Sequence, residues 1–270
     1  MPIITISRGS HSMGKAVAEK VAAKLRYYVL SRDLMLKASD KFHVSQQTLL
    51  QALHDAPGLK DRYKNTKQIY LAYVRATLLE MVAEDNVVYH GLAGHLLLKG
   101  LDHVLKIRII ANLESRVMRK MREEGIAQHD AQAVILKDDD QRKKWTRKIY
   151  GVDPTDNTLY DMVICIDKLS VDDAVEFICG AANTKAFNST EACLRKTRDL
   201  SLACNVKAAL VAEFPEVGIT CEYGNLLLYA TEKTAHNGKF KKLLTSLQQD
   251  TPGLFNLEVH VGVPAPLDAV

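Results

Sequence analysis

The chain opens by changing period twice. IITI (3–6) is an unbroken apolar run of strand length, RGSHSMG (8–14) is polar with two glycines, and KAVAEKVAAKL (15–25) brings apolar residues back at Val17, Val21, Ala22 and Leu25 in a helical rhythm. Strand, loop and helix follow one another directly. The alternation then recurs through YYVL (27–30), a helical stretch near 66–84, NVVYH (86–90), VLKIRIIA (104–111), helices near 114–123 and 128–149, MVICI (162–166) and the helix VDDAVEFICGA. Strands alternating with helices predict an α/β architecture, a parallel sheet of about five strands flanked by helices, because parallel neighbours need helical crossovers.

The grammar changes after NTKAFNSTEA (183–192), which is polar and without period. A helix over RDLSLACNVKAALVAEF leads to VGITCEY, a turn at Gly224-Asn225, LLLYATE, a second helix around GKFKKLLTSLQQ and a last strand in FNLEVHVGV. This order predicts a small C-terminal α+β (αββαβ) module with antiparallel pairing. The expected boundaries are 1–182 for the larger domain, 183–193 for a linker, 194–262 for the module and 263–270 for a tail.

Composition narrows the classes. At 270 residues, 25% charged and 47% hydrophobic, the chain has the make-up of a soluble globular protein, and no apolar run approaches the roughly 18 residues that would span a bilayer. The opening MPIITISRG lacks a basic segment followed by a long apolar core, so a cytoplasmic location is expected. A net charge of +4 is a weak pull toward polyanions, and no nucleic-acid partner is expected. Five cysteines with no CxxC pair suggest buried free thiols rather than disulfides or a zinc ribbon. Arg and Lys crowd into ESRVMRKMREEG and DDDQRKKWTRK, as phosphate binding requires and as solvated helix faces also show.

The loop carries the chemistry. Gly9, Gly14 and Lys15 keep the spacing GxxxxGK between a strand and a helix, where glycines let backbone amides turn inward, the helix N-terminus adds partial positive charge and the lysine reaches phosphate. Ala16 stands where magnesium chemistry wants a hydroxyl, and the loop serines Ser10 and Ser12 are more commonly backbone caps than metal ligands. His90 and His95 lie five apart beside Gly91 and Gly94, a spacing that does not share a helix face, so no metal site is expected there.

With ITISRGSHSMGKAVAEKVAAKL, VVYHGLAGHLLL, ANLESRVMRKMREEG and DDDQRKKWTRKIYGVDPTDNTLYDMVICIDKLSVDDAVEFI taken together, residues 1–182 resemble the cytidylate kinase-like branch of the P-loop nucleoside monophosphate kinases. The resemblance implies ATP with Mg²⁺ as donor and a γ-phosphoryl transfer to a monophosphate such as CMP. It places Gly9, Ser10, Ser12, Gly14, Lys15 and Ala16 at the donor phosphates, with Arg116 and Arg119 bordering the donor base or lid. It gives Lys15, Arg142 and Arg147 to catalysis, the arginines folding over the transferring group from a lid. The acceptor would meet Ser31, Arg32, Arg75 and Gly91. Two acceptor positions depart from the family pattern: Ser31 stands where an Asp is usual and Leu92 where a guanidinium grips the acceptor phosphate. Losing one charge-assisted contact costs about 1.5–3 kcal/mol, roughly a 10- to 150-fold loss of affinity, so weak CMP binding is expected. His11 and Met13 also replace loop glycines.

Residues 194–262 resemble a BON domain through the turn glycine Gly224 in EYGNLLLYA and Gly253 before the final strand. That likeness implies a small ligand or a protein partner and no catalytic groups. Two functions therefore stand side by side. One is a nucleotide-dependent phosphotransferase with altered acceptor positions; the other is a degenerate kinase fold that binds a nucleotide without turnover and reports it through the C-terminal module.

Overall fold

The computed structural model describes residues 2–31, 33–54 and 64–270, and Arg32 falls outside them. The described elements run β1 (Ile3–Arg8), α1 (Gly14–Leu25), β2 (Tyr28–Leu30), α2 (Asp33–Phe42), α3 (Gln46–His54), α4 (Lys64–Met81), β3 (Val87–Tyr89), α5 (Gly94–Leu97), β4 (Val104–Ile110), α6 (Leu113–Glu124), α7 (Gln128–Tyr150), β5 (Met162–Cys165) and α8 (Val171–Ala182). They continue as α9 (Glu191–Leu210), β6 (Gly218–Glu222), β7 (Asn225–Ala230), α10 (Glu232–Ala235), α11 (Gly238–Asp250) and β8 (Asn256–Val261). Two compact units result. One holds β1 to β5 with α1 and α5 to α8; the other gathers α9 to β8 together with α4 and nearly all of α2 and α3.

In the first unit the five strands lie in the order β2-β3-β1-β4-β5, every pair parallel. The expected sheet is therefore present, with β1 at its centre. Its strands carry Ile4, Ile6, Val88, Leu105, Ile107 and Ile109 into a core that α1 completes with Val17, Ala18 and Val21 and α8 with Ala174, Val175 and Ile178. That shared apolar face, not the surface pairs Lys20–Asp172 and Lys24–Glu176 between the same helices, holds them on the sheet, since exposed ion pairs contribute little. Glycine is required under Tyr89: a Cβ at Gly94 would lie 2.5 Å from its ring, and one at Gly91 2.3 Å from its hydroxyl. Trp145 is fully buried on α7 and meets Tyr150 edge-on at 5.7 Å, so both aromatics pack the long helix.

The second unit closes on Leu202, Val206 and Leu210 of α9, Ile219, Leu226 and Leu228 of the sheet, and Phe240 and Leu244 of α11. Its sheet order is β6-β7-β8. Two details differ from expectation. The β6–β7 turn is Tyr223-Gly224, both left-handed at φ 51° and 74°, one residue earlier than Gly224-Asn225. The buried carboxylate of Asp199 fixes that register by accepting from Tyr223 N at 2.9 Å and Gly224 N at 2.8 Å, an acceptor that lies far away in sequence. The second difference is that only β6–β7 is antiparallel; β8 runs parallel to β7 because α10 and α11 form a crossover that returns the chain to the same end.

Three further features refine the expected outline. Thr190 caps α9 by accepting from Cys193 N, so the first turn of that helix begins inside the polar stretch. Residue Val270 pairs with Ile219 in both directions, at 3.2 and 2.9 Å, and thereby covers the outer edge of β6. The five thiols are free, but only Cys179 and Cys204 are buried, while Cys165 is exposed at the end of β5 and points at Asp167.

Asp199→Ala leaves two turn amides without their acceptor. Urea unfolding of the full chain should show a loss of about 1–3 kcal/mol; an unchanged midpoint would mean that the turn holds its register unaided.

Candidate phosphate-binding site

The loop 9–13 leaves the carboxyl end of the central strand and enters α1 at Gly14, the place where parallel sheets bind ligands. Its position is set from below. Gly9 N donates to Ile109 O at 3.2 Å, and the buried Ser12 hydroxyl lies 2.9 Å from Gly9 O and 3.1 Å from Ile109 O, so it staples the loop to β4. It is also held from the side. Arg116 Nε donates to Ser10 O at 2.7 Å, and Arg119 donates to His11 O at 3.0 Å and to Ile166 O at 3.2 Å. The Ser10 hydroxyl donates to Asp138 at 3.2 Å, and Arg116 also reaches Asp139 at 2.7 Å, which ties α7 to the same loop.

These contacts occupy the carbonyls of Gly9, Ser10 and His11. His11 and Met13 adopt left-handed backbone at φ 53° and 68°, a conformation that costs a non-glycine residue roughly 1–2 kcal/mol, while Ser12 N donates to Gly9 O at 3.4 Å. The arginine contacts offset that cost. Met13 is the N-cap of α1 and makes no side-chain capping bond, so the amides of the first turn have no side-chain partner and the helix dipole is uncompensated by any first-turn acid. Gly14 permits the close return of the chain, because a Cβ there would lie 2.6 Å from Arg8 Cβ.

Positive charge gathers at the two ends of this loop. Lys15 is 64% exposed and only loosely paired with Glu19 at 3.6 Å, so its ammonium is available to an anion. Arg142 of α7 donates to Arg8 O at 3.0 Å, bringing two guanidinium groups together at the end of β1. Although part of Arg8 remains on the surface, burial and then the neighbouring Arg142 push its guanidinium below the ordinary arginine range. It still carries its charge. Arg8 was not among the residues singled out by the loop spacing; its place, the last strand residue before Gly9, is the signal that marks it.

The remaining candidates divide. Arg147 lies at the far end of α7 and donates to Asp153 at 2.6 Å, with Lys143 at 3.0 Å from the same carboxylate. Asp153 is held far below the usual carboxylate range, first by its hydrogen bonds from Thr155. Ser31 follows β2 at the carboxyl edge, Gly91 follows β3 under Tyr89, and Arg75 stands half-buried on α4 of the other unit. His95 is a buried core residue: its Nδ1 pairs with Ser7 Oγ at 3.0 Å and its ring lies 4.6 Å from that of Tyr160.

Phosphate oxygens suit these residues better than a protein-held metal does. The uncapped α1 N-terminus, Lys15 and Arg8 offer positive charge, whereas Ala16 has no hydroxyl and those of Ser10 and Ser12 are already engaged. Among the described residues no group of three or more His, Cys, Asp or Glu side chains is placed to hold a metal.

A family model described as the cytidylate kinase-like family matches residues 3–168. The chain belongs to that family. It is 36% identical over 110 residues to a cytidylate kinase from Methanopyrus kandleri, a match covering 38% of this chain and 57% of the relative. It is 34% identical over 94 residues to one from Pyrococcus furiosus, covering 35% and 48% respectively. The chain thus spans about half the length of the curated relatives it matches. A crystal structure of an uncharacterized protein from Eubacterium ventriosum aligns with a TM-score of 0.53 at 20% identity, covering 68% of this chain and all of that one, and shows the fold alone. No helix among the described residues is long and apolar enough to cross a membrane.

One buried imidazole beside the central strand is kept neutral. Burial, then Lys106 and Arg108, lowers the pKa of His95 from 6.5 to about 4. The unfolded chain accepts a proton that the folded one refuses, so this contribution to stability is complete above pH ~6.5 and is lost as pH falls toward about 4, up to ~3 kcal/mol in all. Melting His95→Gln and the unmodified chain at pH 7 and pH 4 should show a smaller acid loss in the variant. Equal losses would remove His95 from the account.

Proposed function

We propose that the first unit binds a nucleoside triphosphate on the loop 9–15 and transfers its terminal phosphoryl group to a nucleoside monophosphate of the CMP class. One observation carries this reading: Arg116 and Arg119 engage the carbonyls of Ser10 and His11, while the first turn of α1 has no side-chain cap. Backbone acceptors of the loop face the arginines, and the first turn of α1 with its dipole is left to meet an anion.

The roles follow from position. Lys15 neutralises donor phosphate at the helix N-terminus, and Gly14 lets the chain approach it closely. Arg8 and Arg142 concentrate positive charge where the transferred group's oxygens gain negative charge, which lowers the barrier if that contact strengthens on the way to the transition state. ATP, with its Mg²⁺, supplies the phosphoryl group; the protein's part is to bind, orient and stabilise charge. Arg147, engaged with Asp153, has a weaker claim to a catalytic part in this arrangement. In a second reading, supported by Ser31 and Leu92 at the acceptor positions, the same loop holds a nucleotide without turnover. The αββαβ order of the C-terminal module also supports a BON-like unit that takes a small ligand or a protein partner.

Calorimetry with ATP, combined with a coupled assay for ADP in the presence of CMP, tests these readings. Lys15→Ala should weaken ATP by roughly 10- to 150-fold, the worth of a hydrogen bond to a charged group. Unchanged affinity would make the loop structural. ADP release dependent on CMP supports transfer; tight ATP binding without it supports the second reading.

A further inference from the structure

Three imidazoles are buried among the described residues, and two have structural partners. His95 pairs through Nδ1 with Ser7, and His103 pairs through Nε2 with Asp85 at 2.9 Å; the other ring nitrogen of each is buried without a bond. His90 differs in that neither of its ring nitrogens has a hydrogen bond. The residue is 6% exposed and its Nδ1 is buried. One bond fixes each of the other two rings in place, whereas nothing within the protein fixes this one, and its Nδ1 has lost its bonds to water without replacement. The loss becomes explicable if another molecule completes the bond.

The place of His90 says which molecule. It is the first residue after β3, and its backbone N donates to Leu30 O at 3.1 Å, at the end of β2. In the order β2-β3-β1 it stands between Ser31 on one side and the phosphate loop on the other. The charges that act on its ring are Arg8, Glu19 and Lys15. Two of these belong to the proposed donor-phosphate site. Burial, then Arg8 and Lys15, with opposition from Glu19, lowers the pKa of His90 and keeps the ring neutral, with one N–H to donate. Since no hydrogen bond within the protein fixes its tautomer, either ring nitrogen can carry the proton that an arriving acceptor requires. Leu92, two residues on, has no donor to offer.

We propose that His90 is a specificity-determining residue that donates a hydrogen bond to the phosphate of the acceptor nucleoside monophosphate, in place of the guanidinium that Leu92 does not supply. This inference rests on the proposed phosphotransfer reading. It assigns the acceptor contact to a side chain that metal-ligand spacing had set aside.

The test is calorimetry of the full chain with ATP and with CMP, for the unmodified protein and for His90→Ala and His90→Gln, together with imidazole ¹⁵N shifts of the unmodified protein. His90→Ala should weaken CMP about tenfold or more and leave ATP affinity within about twofold, since the donor loop is untouched. His90→Gln keeps an N–H donor and should recover part of the loss. The His90 ring nitrogens should shift when CMP is added and not when ATP alone is added, a signature that a packing role would not give. Normal ATP binding with CMP affinity and ring shifts indifferent to His90 overturns this inference and leaves the donor reading intact. Failure of the unmodified chain to bind ATP overturns that reading and this inference together, and an absence of any CMP binding alongside normal ATP binding overturns this inference alone. Should His90→Ala lose ATP binding as well, the His90→Gln affinities and the ring shifts decide between the same two outcomes.

Discussion

Two guanidinium groups on α6 hold the carbonyls of a loop that two non-glycine residues have bent into left-handed backbone. Arg116 takes Ser10 O and Arg119 takes His11 O, and on those contacts the presentation of the α1 N-terminus depends. Glycine would reach this shape at no steric cost. His11 and Met13 do so against a preference of roughly 1–2 kcal/mol each, and charge-assisted hydrogen bonds are of the right size to offset it. The departure from a glycine-rich loop therefore need not abolish the cradle. It transfers the work of shaping it from backbone freedom to side-chain contacts.

The same contacts couple the loop to α7. Arg116 bridges Ser10 O and Asp139, the Ser10 hydroxyl meets Asp138, and Arg142 returns to Arg8 O. Acidic and basic residues that look like an ordinary solvated face in DDDQRKK thus divide by position on the helix: Asp138, Asp139 and Arg142 turn to the loop, while Lys144 pairs locally with Asp140. Movement of α7 would change the surroundings of the phosphate site directly. This is a physical route by which ligand binding and helix position can be linked.

Much of the fold was legible because its signals are local. IITI before RGSHSMG, and helical rhythm after it, locate β1, the loop and α1 within a residue or so, and the same alternation gives the parallel sheet. The turn in the second unit was misplaced by one residue because its register is set by Asp199, some two dozen positions away, which no local pattern reveals. The parallel β7–β8 pair was likewise hidden by strand text that looks the same in either direction. At the candidate site, spacing alone names Lys15 and Gly14. It does not name Arg8 or point to a binding role for His90, because their interest comes from what surrounds them: a second guanidinium in one case, and the lack of any ring hydrogen bond in the other.

The central claim is that the arginine-held loop presents the uncapped N-terminus of α1 to an anion. The direct measurement is a titration of ¹⁵N-labelled full chain with a non-hydrolysable ATP analogue, following the backbone amides of residues 9–16, in the unmodified protein and in Arg116→Ala/Arg119→Ala. The account predicts large shifts at Gly14 and Lys15 in the unmodified protein and a marked weakening of both shifts and affinity in the double variant. Binding that leaves these amides undisturbed, or that is indifferent to loss of both arginines, would contradict it.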